Sequence, residues 1–251
     1  MTLKIAAVPL DVAYASPQAN IEAVTSLSFE PDTDLIVLPE LFSTGFIKKP
    51  DKLSALAQTN SGPTMAAMRQ LAAERGAAVA GSFLATDGRG SYFNRAFLVT
   101  PEGEEAFYDK HNLFTHSGEH LILTPGSCQS PVVNYRGWRI KLMVCFDLRF
   151  PVWSVNSPLH YDLLLVPSNW PEQRSYAFRH LLIARAIENQ AVVVGANRGG
   201  ADPFGSYPAS MTKVYDWLGR PLSAEGPQGV VYACADRAEL EAFRKSFPIL
   251  G

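Results

Sequence analysis

The stretch Trp138-Arg-Ile-Lys-Leu-Met-Val144 leads directly into Cys145-Phe-Asp-Leu-Arg-Phe-Pro151. Apolar residues fall at every second position of the first part, a pattern typical of a β-strand. Pro151 suits the first turn of a following helix, because its φ is fixed near the helical value. A cysteine between a strand and a helix lies where a nucleophile would be presented, although most free cysteines are buried apolar residues. Partners elsewhere in the chain must therefore decide the role of Cys145.

Composition sets the broad class of the protein. The chain has 251 residues, of which 47% are hydrophobic and 18% charged, which is enough for one α/β domain over 1–251. The net charge of -2 indicates neither a nucleic-acid partner nor an anionic membrane. No apolar run approaches the roughly 18 residues that a membrane span needs. Cys128, Cys145 and Cys234 form no disulfide framework, so we expect a reducing, cytoplasmic location and no catalytic part for Cys128 or Cys234.

Hydrophobic periodicity predicts an alternation of strands and helices. Strands are predicted at 3–8, 34–38, 77–84, 92–99, 105–108, 138–144, 161–166, 191–196, 211–215 and 230–234. Helices are predicted at 18–27, 61–75, 151–156, 174–189 and 238–245. The segment 111–137 shows little periodicity and is predicted to be irregular, as functional loops often are. Because the strands include adjacent hairpins, a mixed sheet or two stacked sheets covered by helices is expected.

Polar side chains follow the predicted strands at the points where they end. They are Glu40, Lys110, Cys145, Asn169 and Asn197. In α/β folds this edge is where ligand sites assemble. Taken singly, a glutamate after a strand or a lysine in a loop is usually solvated, so only their joint occurrence points to chemistry.

Three of these positions lie in stretches that resemble the nitrilase superfamily of carbon–nitrogen hydrolases. Pro39-Glu-Leu-Phe42, Tyr108-Asp-Lys-His-Asn-Leu-Phe114 and Cys145-Phe-Asp-Leu-Arg-Phe-Pro151 match its three signatures in order. Asn169-Trp-Pro171 and Ala184-Arg-Ala-Ile-Glu-Asn189 are also similar, so the resemblance covers essentially the whole chain. It implies an α/β fold, the four-layer αββα sandwich, with no metal or organic cofactor. It also implies a homodimer or a higher homo-oligomer.

The closest resemblance is to the omega-amidase branch of that superfamily. Four stretches carry it: Phe42-Ser-Thr-Gly-Phe46, Phe150-Pro-Val-Trp153, Ser168-Asn-Trp-Pro171 and Lys245-Ser-Phe-Pro248. The resemblance implies an enzyme that hydrolyses the side-chain amide of a small 2-oxo acid, such as 2-oxoglutaramate or 2-oxosuccinamate. An N-carbamoyl amine hydrolase, a deaminated-glutathione amidase and a true nitrilase remain alternatives within the superfamily.

The resemblance also implies catalytic roles that make chemical sense for these residue types. Cys145 is the expected nucleophile and would form a thioester, with Glu40 as its general base. The Lys110 ammonium and the backbone N–H of Phe146 would form the oxyanion hole. Glu119 matches the second glutamate of the amidases and would orient the substrate amide or support Lys110.

The distal carboxylate of an omega-amidase substrate calls for a cation, and arginine can bind it through two parallel hydrogen bonds. Arg149, Arg174 and Arg198 are candidates because they follow strand ends, although Arg149 is equally consistent with a structural ion pair. Asn169 and Trp170 are expected to line the substrate pocket. Tyr108 is predicted to be a core residue, and Arg185 is predicted to pair with Glu188 on one helix face.

Two hypotheses from other functional classes compete with the amidase. The stretch His116-Ser-Gly-Glu-His120 matches the H-x-x-E-H pattern of zinc peptidases, which requires a helix. Gly118 lies inside that stretch, in an irregular segment, so no metal site is expected. A non-catalytic binding or assembly protein on the same scaffold would be expected to lack Glu40, Lys110 or Cys145, and all three are present.

Overall fold

Two β-sheets carry most of the buried apolar side chains. In this computed structural model, which describes residues 1–202 and 204–250, one sheet has seven strands and the other five. The strands are β1 (Thr2–Ala7), β2 (Leu35–Val37), β3 (Ala78–Thr86), β4 (Tyr92–Val99), β5 (Glu105–Asp109), β6 (Val132–Tyr135), β7 (Trp138–Leu142), β8 (Leu163–Ser168), β9 (Val192–Asn197), β10 (Ala201–Asp202), β11 (Gly205–Ser206), β12 (Lys213–Tyr215), β13 (Ala224–Glu225) and β14 (Val231–Asp236). The helices are α1 (Pro17–Thr25), α2 (Pro50–Leu56), α3 (Pro63–Arg75), α4 (Ser175–Asn189) and α5 (Arg237–Ser246).

Both sheets are mixed. The larger runs β13-β14-β1-β2-β3-β4-β5, and the smaller runs β12-β9-β8-β7-β6, while β10 and β11 form a separate ribbon. The strands β1, β2 and β3 are parallel neighbours, as are β7, β8 and β9. Parallel strands end at a common edge, so each sheet collects the residues that follow its central strands.

Alternate side chains of β1 pack against different layers. Leu3 and Ile5 belong to the cluster between the two sheets, together with Ile140 of β7. Ala6 belongs instead to a second cluster that contains Met68 of α3. Because successive side chains of a strand point to opposite faces, the larger sheet is covered by the smaller sheet on one face and by helices on the other.

The helix α4 covers the outer face of the smaller sheet. Phe178, Leu182 and Ala186 are spaced four residues apart and are buried, as the predicted helix requires. A Cβ atom on Gly195 of β9 would lie 2.4 Å from Leu182 Cδ1, so glycine allows the helix to approach the strand. The order helix, sheet, sheet, helix confirms the predicted α/β fold with its four-layer αββα sandwich.

The structure differs from the predicted elements in the irregular segment. Part of 111–137 forms β6, which pairs with β7 through a turn at Arg136 and Gly137. Both turn residues have positive φ, 44° and 72°, which the two-residue hairpin requires. The helix predicted at 151–156 is instead one short 3-10 turn, Pro151–Trp153, which follows a first 3-10 turn at Cys145–Arg149. The helix α2 was not predicted at all.

The two strands predicted at 211–215 and 230–234 are both present, but they lie in different sheets. β12 pairs with β9 in the smaller sheet, whereas β14 pairs with β1 and β13 in the larger one. Periodicity marks a strand and not its partner, so only the packed structure separates the two.

In the described ranges, none of the helices has the length and apolar character needed to cross a membrane.

Asp162 fastens α5 to the smaller sheet. Its buried carboxylate accepts hydrogen bonds from Arg139 at 2.7 Å and from Arg244 of α5 at 2.5 Å. Burial raises the pKa of this carboxyl, but the two guanidinium groups outweigh burial and hold the pKa below its usual value. The carboxylate is therefore charged at neutral pH and stabilises the folded state there.

We predict that Asp162→Asn lowers the free energy of unfolding by about 3 kcal/mol in urea denaturation at neutral pH, because buried Arg244 and partly buried Arg139 lose their charged partner. Glu241→Gln is the control, since Glu241 pairs with Arg237 at the surface and its loss should cost under about 1 kcal/mol. Because the folded pKa of Asp162 is lowered, the difference between wild type and Asp162→Asn should shrink as the pH falls below about 3.9. Equal effects of the two substitutions would contradict this role.

Candidate active site

A cavity of about 660 Å³ opens where strands of both sheets end. Glu40, Lys110, Cys145 and Asn169 follow the ends of β2, β5, β7 and β8, and all four line its wall. Its wall combines apolar, polar and charged side chains, as the walls of small-molecule sites do. The packing of the two sheets thus brings together residues that are more than 100 positions apart in the sequence.

The backbone at Cys145 is strained. Its φ is 45°, in the left-handed region that side-chain-bearing residues rarely adopt, and it begins the 3-10 turn Cys145–Arg149. Asp147 holds the turn, because its carboxylate accepts a hydrogen bond from the backbone N–H of Val144 at 3.1 Å. Such strain costs about 1–3 kcal/mol and persists where the surroundings enforce it, often at active sites.

The Lys110 ammonium lies between two carboxylates. Its Nζ is 2.8 Å from Glu40 Oε1, 2.8 Å from Glu119 Oε2 and 3.0 Å from Glu119 Oε1. All three side chains are buried, with Lys110 only 2% exposed. Burial lowers the pKa of Lys110, but the negative charges of Glu119 and Glu40 outweigh burial and raise it well above its usual value. The lysine therefore carries its positive charge throughout the neutral range.

The Cys145 thiol faces the same group of charges. Burial raises its pKa, and the Glu40 carboxylate raises it further through its charge and a hydrogen bond. The Lys110 charge and the backbone N–H of Asn169 oppose these effects without cancelling them. The pKa of Cys145 is thus well above its usual value, so the resting group is a thiol with the carboxylate of Glu40 beside it. Glu40, Lys110 and Cys145 meet as the sequence predicted.

A buried amide and hydroxyl hold the two carboxylates in place. Asn94 Nδ2 donates to Glu40 Oε1 at 2.7 Å and to Glu119 Oε1 at 3.2 Å. Asn94 Oδ1 in turn accepts from Ser82 Oγ at 2.9 Å, and Ser82 Oγ accepts from the N–H of Leu41 at 2.9 Å. Sequence reasoning missed Asn94 and Ser82. The sequence contained one signal for them, a polar residue inside each of two largely apolar strands. A buried polar group needs a hydrogen-bond partner, so such a residue indicates a buried polar network.

Asp147 also links the lysine segment to the cysteine turn. Its carboxylate accepts hydrogen bonds from the Tyr108 hydroxyl at 2.9 Å and from the backbone and side-chain N–H groups of Asn112, both at 2.8 Å. Tyr108 and Asn112 flank Lys110 on either side, and Asp147 follows Cys145 by two residues. Tyr108 is buried in the core cluster, as predicted, and its hydroxyl has this further contact.

The remaining predicted site residues divide into two groups. Phe146, Asn169 and Trp170 line the cavity. Arg149 is exposed and stacks on the Trp170 ring at 4.9 Å, outside the cavity wall. Arg198 is buried and donates to Asp202 at 2.6 Å and to the carbonyl of Val12 at 3.0 Å, so it too lies outside the wall. Arg174, which is the third arginine, lines the cavity.

The stretch that matches the zinc-peptidase pattern has no α-helix. It forms two 3-10 turns, Thr115–Ser117 and Glu119–Leu121, on either side of Gly118 in the left-handed conformation. The helix that would place both histidines on one face is therefore missing from this stretch. Glu119 directs both carboxylate oxygens to Lys110 instead.

Comparison with known proteins identifies the family of this chain. Residues 4–245 match the carbon-nitrogen hydrolase family. The chain belongs to this family. Among carbon-nitrogen hydrolases with curated descriptions, it is 41% identical to the omega-amidase YafV of Escherichia coli (strain K12), over 86% of this chain and 82% of that protein. It is 29% identical to the 2-oxoglutaramate amidase of Bacillus subtilis (strain 168), over 99% of this chain and 96% of that protein.

A solved structure of the same family shares the whole fold. A CN-hydrolase superfamily protein from Xanthomonas campestris, described with an arsenic adduct in its active site, superposes with a TM-score of 0.90 at 35% identity. The match covers 100% of this chain and 96% of that one. This carbon-nitrogen hydrolase is accordingly an enzyme that acts on carbon–nitrogen bonds other than peptide bonds.

We predict that Glu40→Gln lowers the pKa of the Cys145 thiol, because a neighbouring negative charge that disfavours the thiolate is removed. A pH titration of ultraviolet thiolate absorbance, with Cys145→Ser as the blank for Cys128 and Cys234, measures this pKa. The wild-type midpoint should lie above about 8.5, and the Glu40→Gln midpoint should lie below that of the wild type. A midpoint that stays constant or rises would contradict the effect assigned to the Glu40 charge.

Proposed function

We propose that this protein is an omega-amidase that hydrolyses the side-chain amide of a small 2-oxo acid, with 2-oxoglutaramate and 2-oxosuccinamate as the leading substrates. The products are the dicarboxylic acid and ammonia. The convergence of Glu40, Lys110 and Cys145 on one cavity carries the proposal, since it supplies a nucleophile, a proton acceptor and a fixed positive charge. The identity to an omega-amidase over most of the chain supports the substrate class.

In the first half-reaction, Cys145 Sγ attacks the amide carbon while Glu40 takes the thiol proton. Proton acceptance by the adjacent carboxylate is needed because the buried thiol is protonated at rest. The Lys110 ammonium and the backbone N–H of Phe146 stabilise the oxygen of the tetrahedral intermediate. Each such donor contributes about 2.7–4 kcal/mol. Glu40 then protonates the amide nitrogen, ammonia leaves, and a thioester remains on Cys145.

In the second half-reaction, water replaces ammonia beside Glu40. The carboxylate takes a proton from the water as its oxygen attacks the thioester carbon. Collapse of this second intermediate releases the carboxylic acid and returns the proton to the Cys145 sulfur. Every step uses protein groups and water, and the carbon keeps its oxidation state throughout.

Glu119 supports the charge on Lys110 in this scheme. Both of its oxygens lie within 3.0 Å of Lys110 Nζ, and Glu119 Oε2 also accepts the N–H of Phe114 at 2.6 Å. The carboxylate therefore fixes the ammonium near Cys145 while Glu40 changes its protonation state. Orientation of the substrate amide is the second role that we propose for Glu119, since it lines the cavity.

We predict that the purified enzyme releases ammonia from 2-oxoglutaramate and 2-oxosuccinamate faster than from glutamine, an N-carbamoyl amine, deaminated glutathione or an aliphatic nitrile. Cys145→Ala should abolish turnover, because the nucleophile is lost, while the thermal midpoint stays near that of the wild type. Substantial turnover by Cys145→Ala would refute the mechanism. A strong preference for another member of the panel would reassign the substrate. Inhibition by chelators would favour the hypothesis of a zinc hydrolase.

We also propose a homodimer or a higher homo-oligomer. The helix α4 exposes two large apolar side chains, Tyr176 at 77% and Ile187 at 48%, which an interface between copies of the chain would cover. Light scattering should therefore report at least twice the mass of one chain, and a monomeric mass would contradict the assembly. A cytoplasmic location stays a prediction.

A further inference from the structure

The charges around the cavity leave two cations without an acidic partner. Glu40 and Glu119 both bind Lys110, and Asp202, which also lines the cavity, binds Arg198 outside the wall. The other cations in the wall are Lys48 and Arg174. Neither forms an ion pair or a side-chain hydrogen bond with any residue in 1–202 or 204–250. The cavity thus has positive charge that a bound anion could neutralise.

Arg174 is the more enclosed of these two cations. It lies at the last position of the 3-10 turn Glu172–Arg174, directly before α4, and is partly buried. Its guanidinium carbon lies 4.5 Å from the centre of the Phe114 ring and 5.6 Å from that of Trp170. Contact with two aromatic faces orients the planar group and shields it from water.

Lys48 is less suited to hold an anion in a fixed position. It is exposed, and its ammonium lies 3.8 Å from the centre of the Phe204 ring at the cavity wall. A solvated ammonium on a flexible stem interacts weakly with an anion, whereas a guanidinium forms two parallel hydrogen bonds with a carboxylate.

The other two candidate arginines, Arg149 and Arg198, lie outside the cavity wall. Arg198 has a relative exposure of 1% and donates to Asp202, Val12 and its own neighbour Gly199. Arg149 stacks on the Trp170 ring at 4.9 Å, outside the residues that form the cavity wall. Among the three arginines predicted from strand ends, only Arg174 combines access to the cavity with free hydrogen-bond donors.

We propose that Arg174 is the specificity-determining residue that binds the distal carboxylate of the substrate. The inference rests on the proposed amidase function and names the side chain of the same cavity that selects the carboxylate end of the substrate. The guanidinium forms a bidentate pair with the carboxylate, while the amide carbon lies against Cys145. An amide of equal length that ends in a methyl group leaves Arg174 unpaired and is therefore a poorer substrate.

The experiment compares two amides of equal length, glutaramate with its terminal carboxylate and pentanamide with a methyl group in its place. For wild type, kcat/KM should be higher for glutaramate. In Arg174→Leu, the ratio of the two kcat/KM values should fall by about ten- to a hundredfold, which is the loss expected for a charged hydrogen-bonded pair. Arg174→Lys keeps the charge without the planar fork, so its ratio should lie between the two.

A second measurement uses glutarate as a competitive inhibitor of pentanamide hydrolysis. Its inhibition constant should rise about ten- to a hundredfold in Arg174→Leu, with a smaller rise in Arg174→Lys. Arg89→Leu removes one positive charge from the exposed turn after β3 and should leave both the substrate ratio and the inhibition constant unchanged. A similar response in Arg89→Leu would mean that net charge, rather than contact, sets the preference.

Three results would overturn the assignment. The first is an unchanged ratio in Arg174→Leu, including the case in which both rates fall equally. The second is a larger fall in Arg149→Leu or Lys48→Met than in Arg174→Leu. The third is an unchanged inhibition constant in both Arg174 variants. Failure of wild type to release ammonia from any amide in either panel would instead refute the proposed function.

Discussion

The ammonium of Lys110, held between the carboxylates of Glu40 and Glu119, is the interaction on which the site depends. A buried charge is costly unless it is paired and hydrogen-bonded, and here three side chains satisfy one another within 3.0 Å. The two carboxylates keep Lys110 charged, and Lys110 allows two carboxylates to share one apolar interior. The cost of burying this group is offset by the surrounding fold, which supplies Asn94 to fix both carboxylates.

In the proposed mechanism, the same arrangement lets a thiol with a raised pKa act as the nucleophile. The proton acceptor lies beside the sulfur, so the thiolate needs to form only as the bond to carbon forms. The positive charge then lies where the negative charge develops, and no reorganisation of the protein is required. Asp147 preserves this geometry, because it binds the segments on both sides, through Tyr108 and Asn112 on one and Val144 on the other.

Different side chains of the cavity are proposed to carry out the reaction and to select the substrate. Its inner charges belong to the proposed catalytic residues and pair with one another, whereas Arg174 has no acidic partner in the described ranges and is oriented by Phe114 and Trp170. A site of this kind can keep its reaction while a change in one cation alters which amides are accepted. The proposed specificity therefore concerns a different side chain from those that carry the reaction.

Several features could be predicted from the sequence because they are local or carried by motifs. Apolar runs mark the strands, four-residue spacing marks α4, and the signatures around Glu40, Lys110 and Cys145 identify the family and its layered fold. Local patterns could not reveal the β6–β7 turn at Arg136 and Gly137, since it depends on backbone conformation rather than on hydrophobicity. They could not place the strand at 211–215 and the strand at 230–234 in separate sheets either.

The candidate site shows the same division between sequence and structure. By itself the sequence predicted Glu40, Lys110 and Cys145 as the reacting groups, because an acid, an amine and a nucleophile can be recognised from residue types in their motifs. Only the tertiary structure decided that Asn94 and Ser82 support the carboxylates, that Arg198 is enclosed with Asp202, and that Arg174 reaches the cavity. The reason is physical: whether a polar side chain is free or engaged depends on neighbours distant in the chain, and packing alone chooses those neighbours.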